Sequence, residues 1–120
     1  MGRAPCRVLI VEDNLDGAMA LLMLVRQMGH QAEYALSGDA ALRTARRMRP
    51  DTVFLDIGLP GGIDGYEVAR QLRSDFGNTM RIIAVTAYGA DADRQRALEA
   101  GIDLHLIKPA DIKMVESLLG

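Results

Sequence analysis

The sequence predicts an α/β fold, a doubly wound parallel sheet of five strands with helices on both faces. Three observations predict it. Short apolar runs alternate with stretches of helical periodicity five times within 120 residues, the signature of βα repeats joined by right-handed crossovers. The strongest runs are apolar throughout, as strands buried on both faces require. Polar residues close four of them, Glu12-Asp13, Asp56, Thr86 and Lys108, and the C-terminal ends of parallel strands share one rim.

Val8-Leu9-Ile10-Val11 is the first strand. Ala18, Leu21, Leu22, Val25 and Met28 then recur at helical spacing, with Asn14 as N-cap and Gly29 as the stop. Gln31 to Ala35 is a weaker, more polar strand and is expected at an edge. Ala41, Leu42, Ala45 and Met48 form a second helical stripe, begun at Ser37-Gly38 and closed before Pro50. Thr52-Val53-Phe54-Leu55 is the third strand, followed by the loop Gly58-Leu59-Pro60-Gly61-Gly62. A helix over Tyr66 to Arg73 turns Val68, Ala69 and Leu72 inward. Ile82-Ile83-Ala84-Val85 is the fourth strand, Asp91 to Ala100 a short polar helix stopped by Gly101, and Leu104 to Ile107 the fifth strand. Ile112, Val115, Leu118 and Leu119 pattern the last helix. The first, third and fourth strands are expected at the centre, and the seven methionines as core fillers.

Composition narrows the function classes. With 49% apolar and 25% charged residues the chain reads as one domain over 1–120. Fourteen basic against sixteen acidic side chains give a net charge of −2, which argues against non-specific nucleic-acid or membrane binding. Cys6 is the sole cysteine, so neither an intrachain disulfide nor a cysteine zinc cluster forms. No apolar run nears the roughly 20 residues of a membrane span, residues 1–6 are too short and polar for a signal peptide, and a cytoplasmic chain is expected. Twelve of the fourteen basic residues are Arg. Lys108, one of only two lysines, therefore stands out at its strand end.

Glu12, Asp13, Asp56, Thr86 and Lys108 thus converge on one rim. Three clustered carboxylates resist ionising together, and a divalent cation removes that conflict. An all-oxygen donor set suits Mg²⁺, with Mn²⁺ chemically acceptable. Such a site suits phosphoryl transfer, in which a carboxylate serves as nucleophile and forms an aspartyl phosphate. Lys108 is placed to pair with one phosphoryl oxygen and Thr86 to donate to another.

Val8-Leu9-Ile10-Val11-Glu12-Asp13-Asn14, Leu55-Asp56-Ile57-Gly58-Leu59-Pro60, Asp64-Gly65-Tyr66-Glu67, Ala84-Val85-Thr86-Ala87 and Lys108-Pro109 together resemble the receiver domain of bacterial two-component response regulators. The resemblance runs over roughly residues 6–119. It implies the flavodoxin-like strand order 2-1-3-4-5, Asp56 as phosphoacceptor, and Glu12, Asp13, Asp56 and the Gly58 carbonyl as ligands of Mg²⁺. It implies Thr86 as the hydroxyl that follows the phosphoryl group, with catalytic parts for Asp56, Thr86 and Lys108, and a cis bond between Lys108 and Pro109. The implied partner is a histidine kinase or histidine phosphotransfer protein. Neither nucleic acid nor membrane is implied, and the implied state is monomer or weak homodimer. The resemblance also implies a chain that promotes only its own phosphorylation and dephosphorylation.

The chain departs from the family pattern at three places. The loop Pro60 to Gly65 is one residue longer than usual before Asp64-Gly65. His105 stands where many members carry Tyr or Phe, and reads either as a switch residue paired with Thr86, smaller than the aromatic and able to titrate near neutral pH, or as an exposed edge-strand residue. The last helix stops at Gly120, and the phrase Leu104 to Pro109 with the Gly-Leu-Pro loop looks most like single-domain or hybrid-histidine-kinase receivers. Tyr88 is placed either over the acceptor or outward, and Asp91, Asp93, Arg94 and Arg96 read as a solvated face or part of a partner surface. A phosphorylation-independent interaction module is the alternative function, and the complete acidic set with Lys108 counts against it. An aspartyl phosphatase is a third, opposed by Gly58 where such enzymes carry a second acid. A flavin site lacks its Ser/Thr-rich loop.

Overall fold

The computed structural model describes residues 5–59, 62–87, 91–108 and 110–120. Five strands, β1 (Arg7–Val11), β2 (Gln31–Ala35), β3 (Thr52–Asp56), β4 (Arg81–Thr86) and β5 (Leu104–Ile107), pair in parallel. Their order is β2-β1-β3-β4-β5. The polar second strand lies at one edge, and the three apolar strands lie inside. The helices are α1 (Leu15–Gln27), α2 (Gly38–Met48), α3 (Gly65–Phe76), α4 (Asp91–Glu99) and α5 (Ile112–Leu119).

Strand alternation divides the core in two. Val8, Ile10, Phe54, Ile83, Val85 and Leu106 face Ala18, Leu22 and Val25 of α1 and Val115 and Leu119 of α5. Leu9, Val11, Val53, Leu55, Ile82 and Ala84 face α2 and α3, with Ala97 of α4 in the same cluster. The chain leaves β1 through α1 to β2, then crosses back through α2 to β3 on the other side of β1. The reversal of strand order between β1 and β3 opens the rim where doubly wound sheets bind ligands.

Side-chain caps start the helices as the sequence requires. Asn14 accepts from the Gly17 N–H at 3.1 Å and Ser37 from the Ala40 N–H at 3.2 Å. Asp64 accepts from the Glu67 N–H at 2.9 Å, so α3 begins before the apolar stripe does. It runs on to Phe76, past the expected end at Arg73, and closes through an unforeseen 3-10 turn at Gly77–Thr79. Arg73 supports that ending by donating to the carbonyls of Gly77, Met80 and Gly101 at 2.9, 2.6 and 2.8 Å.

Two expectations about packing need correction. Met80 is buried, and Met28 and Met48 pack at the core margin. Met19, Met23 and Met114 instead face solvent, Met23 at 64% exposure. Leu15, Met19 and Met23, four residues apart, form an apolar stripe on the outer face of α1. Ile112 is also outward, at 54% exposure, and α5 docks through Val115 and Leu119. Both helices carry apolar residues around much of their circumference, so periodicity does not fix which stripe faces the sheet. Among the described residues, no helix is long and apolar enough to cross a membrane.

Candidate functional site

Register builds the site. Val11 lies opposite Leu55, so one step further the chain brings Glu12 beside Asp56. Asp56 in turn pairs with Val85. Thr86 pairs with Ile107, and the Thr86 carbonyl accepts from the Lys108 N–H at 2.8 Å, which carries Lys108 back toward the rim.

There the Lys108 ammonium donates to Glu12 Oε2 and to Asp56 Oδ2, both at 2.9 Å. Asp56 Oδ1 accepts from the Gly58 N–H at 2.9 Å. Asp56 is 6% exposed, one of two buried polar residues among those described. Glu12, Asp13 and Asp56 each offer an oxygen within 4.8 Å of the others. Three hard oxygen donors at that spacing, one of them solvent-facing, fit a magnesium-type cation that keeps some of its waters.

The electrostatics are asymmetric. Burial by itself would raise Asp56, but hydrogen bonding to Glu12, Lys108 and the Gly58 N–H outweighs it and holds the carboxyl below its ordinary range. Glu12 is raised, first by burial and then by the neighbouring Asp56 carboxylate, with Lys108 compensating only in part. Burial would lower Lys108, but its two carboxylate partners prevail and raise it. Asp56 therefore stands ionised at neutral pH, while Glu12 bears the cost of crowding.

Beside these groups an apolar cleft of about 730 Å³ opens between α1 and the start of α5. Small residues, Gly17, Ala20 and Ala110, leave it open, and Ile10, Phe54 and Val85 form its floor. The sequence holds a signal for it in the small residues on one face of α1, but the cleft also needs Ala110 opposite.

Thr86 closes β4 and is half-buried. His105 is half-buried on β5, opposite Ala84. Two residues apart in register, the Thr86 and His105 side chains project from the same face of the sheet, toward α3 and α4. His105 therefore sits on the inner side of an edge strand, with Leu106 buried on the other. Pro60, Gly61, Tyr88 and Pro109 lie outside the described residues, and with them part of the long loop and the Lys108-Pro109 peptide. Past the gap, Ile63 lies directly over Gly38, where an added Cβ would come within 2.5 Å of its side chain.

Arg96 is the residue that sequence reasoning missed. It does not merely line a solvated face. Its guanidinium stands 4.2 Å over the Tyr66 ring and reaches Asp64 Oδ2 at 3.3 Å. No periodicity signals a contact between residues thirty positions apart on two helices.

The sequence profile of the response regulator receiver domain matches residues 8–119. The chain belongs to the response regulator receiver family. This receiver is 36% identical over 110 residues to the transcriptional regulatory protein AfsQ1 of Streptomyces coelicolor, covering 92% of this chain and 48% of that one. It is 38% identical over 103 residues to the transcriptional regulatory protein PrrA of Mycobacterium tuberculosis, covering 86% and 43%. The receiver thus spans a little under half the length of these curated relatives. Among solved structures, the receiver domain of a sensor histidine kinase from Pseudomonas aeruginosa has a magnesium ion coordinated in its active site cleft. It is 32% identical, with a TM-score of 0.84 over 97% of this chain and 95% of that one. A chemotaxis protein, CheY4 of Vibrio cholerae, is 23% identical with a TM-score of 0.89 over 96% of this chain and 97% of that one, and shows the same fold. The chain is thus a receiver domain of the response-regulator type.

Proposed function

We propose that Asp56 is the phosphoacceptor and that a histidine kinase or histidine phosphotransfer protein is the donor. A carboxylate oxygen of Asp56 attacks the phosphorus of a phosphohistidine. The P–N bond breaks, the imidazole leaves with a proton, and Asp56 carries the phosphoryl group as a mixed anhydride. Hydrolysis by water later returns the free carboxylate and inorganic phosphate, and the chain promotes no other reaction. The observation that carries this reading is Lys108 bridging Glu12 and Asp56 at 2.9 Å, with Asp13 completing an oxygen cluster.

Glu12, Asp13, Asp56 and the Gly58 carbonyl are the residues that would hold Mg²⁺, or Mn²⁺ in its place. When bound, the cation supplies charge neutralisation on the phosphoryl oxygens. The magnesium seen in the Pseudomonas receiver supports that assignment. Lys108 exchanges a carboxylate oxygen of Asp56 for a phosphoryl oxygen, and Thr86 donates its hydroxyl to another. The new charge, about −2 at neutral pH, then shifts the Thr86–His105 region between two arrangements that a partner reads. Residues 1–120 act as one receiver unit in this scheme.

The test is intact-mass measurement after incubation with a small phosphodonor. One phosphoryl group should appear with Mg²⁺, be lost with a chelator, and fail to appear in Asp56→Asn. Mass gain that survives Asp56→Asn would remove Asp56 from its role.

A further inference from the structure

Arg96 lies outside the phosphoacceptor cluster, yet it contacts the start of α3, which packs against the turn after Asp56. Asp64 uses its two oxygens on two elements. Oδ1 caps α3 by accepting from the Glu67 N–H, and Oδ2 meets the Arg96 guanidinium from α4. The same guanidinium lies on Tyr66, whose ring is buried. Between these residues, Gly65 runs against the backbone of the phosphoacceptor turn. Its N–H points to the Ile57 carbonyl at 3.4 Å. A Cβ at Gly65 would lie 2.7 Å from Ile57 Cα and 2.8 Å from the Asp56 carbonyl oxygen. Thus α4, the start of α3 and the Asp56–Gly58 turn are in unbroken contact.

We propose that Arg96 is a positioning residue for phosphorylation, that it holds α4 on the start of α3 and through it keeps the Asp56–Gly58 turn in its unphosphorylated arrangement, and that its contacts with Asp64 and Tyr66 are released once Asp56 carries the phosphoryl group. The inference rests on Asp56 being the phosphoacceptor. In this structure Lys108 is spent on Glu12 and Asp56, so the Arg96 contacts belong to the unphosphorylated form. Contacts that one form makes and the other lacks hold the equilibrium toward the first. Removing Arg96 therefore favours the phosphorylated arrangement. Plain electrostatics predicts the reverse, since losing a cation weakens an anion's binding. The sign separates the two.

The experiment is titration of the full chain with beryllofluoride, a phosphoryl mimic, in saturating Mg²⁺, followed through amide resonances of Asp56 and Thr86. Arg96→Ala should tighten binding by about three- to tenfold, the range expected of one exposed ion pair with one cation–π contact. Arg94→Ala removes the same charge from the same helix and should leave affinity within about twofold. Asp64→Asn keeps an N-cap but removes the partner charge, and adding it to Arg96→Ala should give no further tightening. Unchanged or weakened binding in Arg96→Ala overturns the proposal, as does equal tightening in Arg94→Ala or full additivity in the double variant. A wild-type chain that binds no beryllofluoride overturns the phosphoacceptor reading, and this inference with it.

Discussion

Glu12 and Asp56 hold the same ammonium at the same distance, yet their environments act on them in opposite senses. Asp56 is held ionised by Lys108 and the Gly58 N–H. Glu12 is pushed toward protonation by burial and by Asp56. Stability should follow pH accordingly. The Asp56 contribution is present above its ordinary value of 3.8 and is lost as pH falls through the lower folded value. The Lys108 contribution is present below 10.5 and is lost as pH rises through its higher folded value. Glu12 works the other way, because ionising it above its ordinary value of 4.5 burdens the fold. Without metal at pH 7, Glu12→Gln should therefore raise the melting temperature while weakening Mg²⁺ binding by about tenfold or more. Calorimetry and a metal titration check the two halves, and a fall in both would show that Glu12 stabilises the apo fold. Lys108→Met should cost about 1–3 kcal/mol in urea unfolding, because it strands two carboxylates. The lower part of that range is favoured by the 36% exposure of Lys108.

At the scale of elements, the start of α3 is the tightest junction. Ala in place of Gly ordinarily stabilises a helix by about 1 kcal/mol. At Gly65 the new Cβ would strike backbone at Ile57 and Asp56, and backbone cannot give way as a flexible side chain does. Gly65→Ala should destabilise by about 1–3 kcal/mol and slow phosphorylation by displacing the Asp56 turn. A urea midpoint equal to or above wild type would show that the junction has slack. Most element positions were legible because caps and apolar stripes coincide, as at Asn14 before α1 and Ser37 before α2. The end of α3 was not, because Arg73 satisfies carbonyls contributed by Gly77, Met80 and Gly101. The outward stripe of Leu15, Met19 and Met23 was not, because an apolar helix supports more than one docking face.

At the scale of the molecule, the three acids meet only when β1 and β3 are paired. A cation that binds them therefore binds the folded chain and stabilises it by mass action. Mg²⁺ at about 100 times its Kd should add about 2.7 kcal/mol, read as a concentration-dependent rise in melting temperature. Asp13→Asn should lose most of that rise. An equal rise in the variant would place the cation elsewhere. The cleft between α1 and α5 belongs to this scale too, since Gly17 and Ala110 enclose it from separate elements.

The chain's order of residues determined its five βα units and which side chains reach the common rim, because strand polarity and alternation are local and periodic. It also placed Asp56, Glu12, Asp13 and Lys108 in one candidate site, since each closes a strand. Only the folded molecule decided that Lys108 is shared between Glu12 and Asp56, that Thr86 and His105 project from one face, and that Arg96 rests on Tyr66 and Asp64. Those facts depend on register between strands and on rotation of helices about their axes, which arise from packing between distant segments and leave no period in the chain.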